Sequence, residues 1–298
     1  MKKVGYITIV GNPNAGKSTL LNAFVEQKVS IVSPKPQTTR DTILGIWTEG
    51  DCQMIFADTP GTIKPRNVLG EYMAKSIDAA LAGVDCALLV IDGHDGISNK
   101  ELQLVDKYNC LGIPLVVAVS KIDITQPEKL MPNLALLNEK QGIDAVFCVS
   151  CRRNKKNVKD LREYLKKFLR EGEFYYDEDD VTNKSLRYMV CEQVRERILF
   201  ALDEEVPHGV GVELNKMEQT PSGMWEIDAN VIVEKQSHKP IILGKGGETL
   251  KQIATAARIS MEKLLENKVF LQLWIKVKPR WRESEYLVNQ IGYNKKDL

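Results

Sequence analysis

The residues best suited to chemistry lie in "GNPNAGKST", residues 11–19. Their spacing fits G-x-x-x-x-G-K-[ST], in which each residue type has a task in holding phosphate. Gly11 and Gly16 let the backbone curl through Asn12, Pro13, Asn14 and Ala15 so that its amides point inward. Lys17 can span the β- and γ-phosphates, and the Ser18 hydroxyl can ligate Mg²⁺. A helix that begins near Gly16 and runs on through Thr19 adds its positive N-terminal end. The competing reading is a chance glycine turn; an apolar strand before the loop and a helix after it argue against that.

Three later stretches give the phosphate loop its context. In "DTPG", residues 58–61, Asp58 can reach Mg²⁺ through water, and the Gly61 amide can sense the γ-phosphate beyond Thr59 and Pro60. "PQTTRD" at 36–41 offers a second hydroxyl ligand, Thr39 or else Thr38. In "SKID", residues 120–123, Asp123 can accept from both guanine N1–H and the exocyclic amine, donors that adenine lacks. Ser120 and Lys121 precede it. At "SCR", residues 150–152, the backbone amides of Ser150 and Cys151 can face the guanine O6. Four stretches in this order, each at the carboxyl end of a strand around one crevice, specify a guanine nucleotide site.

These residues need a sheet to carry them. Strand-like runs at Val4–Val10, Thr42–Trp47, Gln53–Ala57, Asp85–Ile91, Pro114–Val119 and Ala145–Val149 alternate with helix-like segments such as Glu71–Ala82 and Val158–Leu169. Glu49–Asp51 turns the second strand into the third. The pattern predicts an α/β doubly wound, mostly parallel sheet with one antiparallel edge strand. It stops near 171, where the acidic "EGEFYYDEDDVTNK" reads as a linker over 171–184. The domains expected are therefore 1–170 and 185–298.

The second domain reads α-β-β-α-α-β: a helix over Ser185–Glu205, strands at Gly211–Gln219 and Met224–Lys235, and "LGKGG". A helix over Glu248–Asn267 follows, then a strand with Val269, Leu271, Leu273, Ile275 and Val277 on one face. Gly244, Lys245, Gly246 and Gly247 form the G-x-x-G loop that clamps a nucleic-acid backbone in KH domains. From Lys235 to Arg282 there are eleven Lys or Arg against three Glu, although the whole chain carries only +1. Lys235, Lys251, Arg258 and Arg280 join the loop as candidate RNA contacts. Trp281 could stack on a base or cap the core.

Taken together, these motifs resemble those of the translation-factor-related GTPases and, more narrowly, of the bacterial Era GTPases, over essentially the whole chain. The resemblance implies a GTPase domain with Mg²⁺ and a type II KH domain that binds the 3′ end of small-subunit (16S) ribosomal RNA. It also implies a role in small-subunit maturation and a cytoplasmic protein in loose, peripheral contact with the inner membrane. Two positions depart from the family pattern: Ser120 stands where an asparagine is usual, and Cys151 where an alanine is. Thr62 follows "DTPG", so no glutamine is placed to orient water. Catalysis would then rest on Lys17, Thr39, the Gly61 amide and Asn14. Asn14 resembles an asparagine that holds K⁺ in relatives, or else it only shapes the turn.

Other classes fit less well. A phosphate-loop kinase would leave Asp123 without a task, and only Ser120 favours an RNA-binding protein with a decayed GTPase domain. The six cysteines have no metal-ligand spacing, Cys148 and Cys151 included, and read as reduced thiols. His94, His208 and His238 are scattered. No apolar run reaches the ~18 residues that span a bilayer, and the start reads as a strand, not a signal peptide.

Overall fold

The computed structural model describes residues 1–62, 64–152 and 155–294. The chain divides into two compact units. The second takes Ser33–Thr38 and Lys64–Tyr72 from the first half, together with the chain from Lys184 onward; the first takes the rest.

In chain order the first half gives β1 (Lys3–Val10), α1 (Lys17–Val25), β2 (Ile43–Glu49), β3 (Cys52–Asp58), α2 (Val68–Leu81) and β4 (Cys86–Asp92). Then come α3 (Asn99–Asn109), β5 (Leu115–Ser120), α4 (Pro127–Asn138), β6 (Ala145–Cys148) and α5 (Lys155–Leu165). The sheet order is β2-β3-β1-β4-β5-β6. Every neighbouring pair is parallel except β2 with β3. β4 and β5 are apolar along nearly their whole length because both faces are covered. Strand order reverses beside β1, between β3 and β4. The loop after β1 therefore opens into a crevice at the strands' carboxyl ends.

The stretch expected as a linker is instead tied to this sheet. β7 (Arg170–Glu171) pairs antiparallel with Lys3 and Val4. The buried Gln53 amide accepts from the Tyr175 and Tyr176 backbone amides at 3.0 and 3.2 Å and donates to the Tyr176 carbonyl at 2.9 Å. Thr182 bridges Gly45. Acidic composition hid these pairings, since they are made by backbone and by one distant glutamine.

The second unit contains α6 (Leu186–Ala201), β8 (Gly211–Gln219), β9 (Trp225–Val233), α7 (His238–Leu243), α8 (Glu248–Leu264), β10 (Val269–Val277) and α9 (Glu285–Gln290). β9 is central, antiparallel to β8 and parallel to β10. The Ser185 hydroxyl caps α6 by accepting from the Tyr188 amide at 3.3 Å. Val194, Ile198, Ala257 and Met261 from α6 and α8 meet Ile227, Ala229 and Val231 of β9 in one core. The alternating apolar residues of β10 pack against the same core. The short helix α9 carries too little periodicity to be read from sequence.

Candidate functional site

The phosphate loop takes the shape its glycines allow. Gly11 has φ +143°, and a Cβ there would lie 2.3 Å from the Val90 carbonyl oxygen, so only glycine fits. Asn14, with φ 63°, adopts the left-handed region that asparagine tolerates. Lys17 is buried at the start of α1 and donates to the carbonyls of Gly11 at 3.1 Å and Asn12 at 3.0 Å. Burial lowers its pKa to about 8, against the opposing pull of Asp58.

Beside it, Asp58 is fully buried at the end of β3. Its Oδ2 accepts from Ser18 Oγ at 2.6 Å, Ser30 Oγ at 3.0 Å and Thr39 Oγ1 at 3.5 Å. Ser18 and Thr39 hydroxyls are 2.8 Å apart. Asp58 Oδ1 has no hydrogen-bond partner. Burial raises the Asp58 pKa, and Lys17 and the three hydroxyls draw it back. Two hydroxyls and one orphaned carboxylate oxygen are hard oxygen donors suited to Mg²⁺, which is commonly held by one or two carboxylates with phosphates and water. Among the described residues no group of three or more His, Cys, Asp or Glu could hold a metal. Of the two threonines read as candidates, Thr39 is the one at this position. Thr38 turns away, its hydroxyl donating to the Lys35 carbonyl at 2.7 Å.

Gly61 lies against the loop, where a Cβ would come within 2.7 Å of the Pro13 backbone. The Thr62 amide donates to the Gly11 carbonyl at 3.3 Å. Thr59 is buried and donates to the Ile9 carbonyl.

At the far end of the crevice, Ser120 is buried and donates to the Ala15 carbonyl at 2.6 Å, with the Ile91 carbonyl at 3.1 Å. The serine thereby ties β5 to the phosphate loop with the single proton it has. Lys121 pairs with Asp92. Asp123 Oδ1 accepts from the Ser150 hydroxyl at 2.8 Å, which fixes the carboxylate's orientation. Burial raises the Cys151 thiol to about 11, with Asp123 adding to it, and all six cysteines are free thiols.

Sequence reading missed Ser30, Asp92 and Glu101. Glu101 accepts from Asn12 Nδ2 at 2.8 Å and belongs to the Ser98 capping box of α3, so "SNKE" was its available signal. Ser30 and Asp92 had none, because their partners are far off in sequence.

In the second unit, Gly244 has φ 73°, and a Cβ there would meet Thr249 Oγ1 at 2.2 Å. Gly246 and Gly247 also have positive φ but open onto space. Lys245, Lys235, Lys251 and Arg280 are exposed, and the apolar Ile241 and Leu243 flank the loop with 49% and 40% exposure. Arg258 is half-buried and paired with Glu262 at 2.9 Å. Trp281 corrects the sequence reading: it is fully buried and donates from Nε1 to the Gly209 carbonyl at 2.8 Å, so it caps the core and cannot stack on a base.

A family model described as 50S ribosome-binding GTPase matches residues 6–121, and a KH domain model matches 205–282. GTPase Era of Clostridium botulinum (strain Langeland) is 42% identical over 295 residues, covering 99% of each chain. GTPase Era of Clostridium kluyveri is 42% identical over 293 residues. A crystal structure of Era with MgGDPNP and nucleotides 1506–1542 of 16S ribosomal RNA has a TM-score of 0.93 at 36% identity. It covers 99% of this chain and 100% of its own. A point variant of Aquifex aeolicus Era bound to GDP·AlF4⁻ also has a TM-score of 0.93 at 36% identity, over 98% of this chain and 99% of its own.

Proposed function

The chain belongs to the Era family of GTPases, and we propose that it is a slow GTP-hydrolysing switch whose G-x-x-G loop binds the 3′ end of 16S ribosomal RNA during small-subunit assembly. The observation that carries the reading is the buried Asp58 with Ser18, Thr39 and Lys17 gathered around it. The Era relative crystallised with MgGDPNP and a 16S fragment supports the same ligands here.

Bound Mg²⁺ would neutralise charge developing on the β- and γ-phosphates. Ser18 and Thr39 would be its hydroxyl ligands, and Asp58 would act through water. Lys17 would leave the Gly11 and Asn12 carbonyls for phosphate oxygens, and the negative phosphates would restore its charge. The Gly61 amide, held against Pro13, would sense the γ-phosphate. Asp123, oriented by Ser150, would select guanine, and the Ser150 and Cys151 amides would face O6. No glutamine follows "DTPG", so unassisted turnover should stay within a decade or two of ~10⁻⁴ s⁻¹. Asn14, at the outer bend of the loop, would supply a K⁺ site in place of an arginine finger. Among the described residues no helix is long and apolar enough to cross a membrane, so membrane contact would be peripheral.

Phosphate release from GTP and ATP, in KCl and in NaCl, tests this. GTP should bind more than about tenfold tighter than ATP, or about 1.4 kcal/mol, and turnover in KCl should be the faster. Asp123→Asn should shift preference toward xanthosine triphosphate. Equal affinity for ATP and GTP would sink the base assignment, and equal rates in both salts would remove K⁺.

A further inference from the structure

Ser30 has no task in the function described above, yet it is buried beside the carboxylate on which that function turns. Its hydroxyl donates to Asp58 Oδ2 at 3.0 Å. Three hydroxyls thus meet one oxygen, while Asp58 Oδ1 is left without a hydrogen-bond partner. Two of the three, Ser18 and Thr39, are assigned to Mg²⁺ above. Ser30 is the third, and that assignment gives it nothing to do.

A single side chain holds Ser30 in place. Asn22 lies on α1, one helical turn after Ser18, so both residues face the same side of the helix. The chain leaves α1 at Glu26, φ 58°, and doubles back. Asn22 Oδ1 then accepts from the Val29 and Ser30 amides, both at 2.9 Å, and Nδ2 donates to the Ser30 carbonyl at 2.7 Å. An amide side chain has a donor end and an acceptor end, and this one spends both on the same residue. The Ser30 backbone is therefore fixed on both sides, and with it the direction in which the hydroxyl points. All of these residues belong to the first compact unit. An alanine at position 30 would fill nearly the same space and need no partner. A hydroxyl kept against a carboxylate whose other oxygen stays bare serves to orient that carboxylate.

We propose that Ser30 is a positioning residue for Asp58: held by Asn22, its hydroxyl claims Oδ2 and leaves Oδ1 free for the water through which Asp58 would act on Mg²⁺. The inference rests on the metal assignment given under the proposed function. Ser18 and Thr39 cannot do this alone, because their oxygens would face the ion as well. Ser30 is supported from α1, so its grip on Oδ2 does not depend on the ion. Groups that serve a metal are commonly oriented in this way by residues that never touch it.

The test follows release of a fluorescent GDP analogue from the full-length protein as Mg²⁺ is varied, with EDTA as the metal-free limit. Ser30→Ala removes the hydroxyl and little volume, and thermal melting checks that the variant folds. The Mg²⁺ concentration that slows release half-maximally should rise by about tenfold, while release in EDTA stays within about twofold of wild type. GTP turnover at low Mg²⁺ should fall in proportion and recover as Mg²⁺ is raised. Asn22→Ala, which loosens Ser30 but spares its hydroxyl, should give a smaller shift in the same direction. Asp58→Ala should give a larger one, and adding Ser30→Ala to it should change nothing further, since both act through one carboxylate. A role in packing alone would speed release equally in EDTA and in Mg²⁺. That result overturns the proposal, as do wild-type Mg²⁺ dependence in folded Ser30→Ala and a shift that adds in full to that of Asp58→Ala. Should Ser30→Ala fail to fold, wild-type Mg²⁺ dependence in Asn22→Ala overturns it instead. Release from the wild type that ignores Mg²⁺ would remove the metal assignment and this inference together. Mg²⁺-sensitive release without GTP turnover would defeat the proposed activity alone.

Discussion

The two candidate sites are both glycine loops that open a helix, yet they are built in opposite ways. The loop before α1 is enclosed. Lys17, Asp58, Thr39 and Ser120 are all buried, and each has hydrogen-bond partners. The loop before α8 is bare: Gly246 and Gly247 face open space, and Lys245 is exposed. A small polyanion has to be stripped of water to be held tightly, which calls for a preorganised, low-dielectric cradle. A polymer must pass along the surface, which calls for an unobstructed rim, exposed charge and little else. The difference teaches where substitutions should be felt. In the cradle each group is coupled to several others; on the rim, groups act more nearly alone.

The largest effect expected is therefore in the cradle. Lys17→Ala removes the buried cation of the phosphate loop and leaves Asp58 without its charge partner. Turnover measured by phosphate release should fall by more than about a thousandfold, in keeping with the loss of a preorganised charged group. Residual activity within about tenfold of wild type would mean that the loop does not act on phosphate.

Next comes the rim. Lys245→Asp with Gly246→Asp places two carboxylates where an RNA backbone would run. Aspartate tolerates the left-handed backbone of Gly246, φ 60°, and open space surrounds it, so the fold should survive. Fluorescence anisotropy with an oligonucleotide from the 3′ end of 16S RNA should show binding weaker by about a hundredfold, comparable with losing one or two stacked bases. Unchanged binding, relative to a scrambled control, would break the assignment of the G-x-x-G loop.

Both loops were legible in the sequence for the same reason. The function proposed for each lies in backbone shape, and that shape is dictated locally by glycine spacing and by the helix that follows. Asp58 and Asp123 were legible because short motifs mark strand ends in a parallel sheet. What escaped was whatever depends on a distant partner. Trp281 sits between arginines, which suggested nucleic acid, but its burial is decided by the Gly209 carbonyl, 72 residues away. Nothing in the sequence marks Arg195; its guanidinium donates to the Thr38 carbonyl, 157 positions earlier. The acidic stretch at 171–184 looked like a linker because strand pairing with Lys3 and Val4 leaves no trace in composition.

A smaller effect should separate the cradle from the rim by pH. Burial holds Lys17 at about 8 in the free protein. Nucleotide phosphates stabilise its charged form, so the pKa in the complex lies above that in the free protein. Binding is then strongest below about pH 8, where the free protein already holds the proton, and weakens as pH rises through that value. GDP affinity at saturating Mg²⁺ should be about tenfold weaker at about pH 9 than at about pH 7, with proton uptake visible in calorimetry as a buffer-dependent heat. A flat profile over that range would mean that Lys17 is not desolvated as its burial suggests.

The smallest effect should come from Arg258. It lies on α8, after the G-x-x-G loop, and belongs to the basic stretch from Lys235 to Arg282. Its guanidinium is already committed: Nη1 donates to Glu262 Oε1 at 2.9 Å, one helical turn on, and the same carboxylate oxygen accepts from the Val269 amide. The pair presents little net charge to a passing phosphate, and counterion release scales with the charges that neutralise phosphates. Arg258→Ala should therefore weaken the 16S oligonucleotide by less than about threefold and leave the slope of log K against log salt nearly unchanged. Lys251→Ala serves as the reference, since Lys251 is exposed on the same helix. Its loss should lower that slope by about one phosphate contact. If Arg258→Ala reduces the slope as much as Lys251→Ala does, the Glu262 pair opens when RNA binds. The rim would then recruit partners much as the cradle does, and the contrast between the two loops would be one of exposure alone.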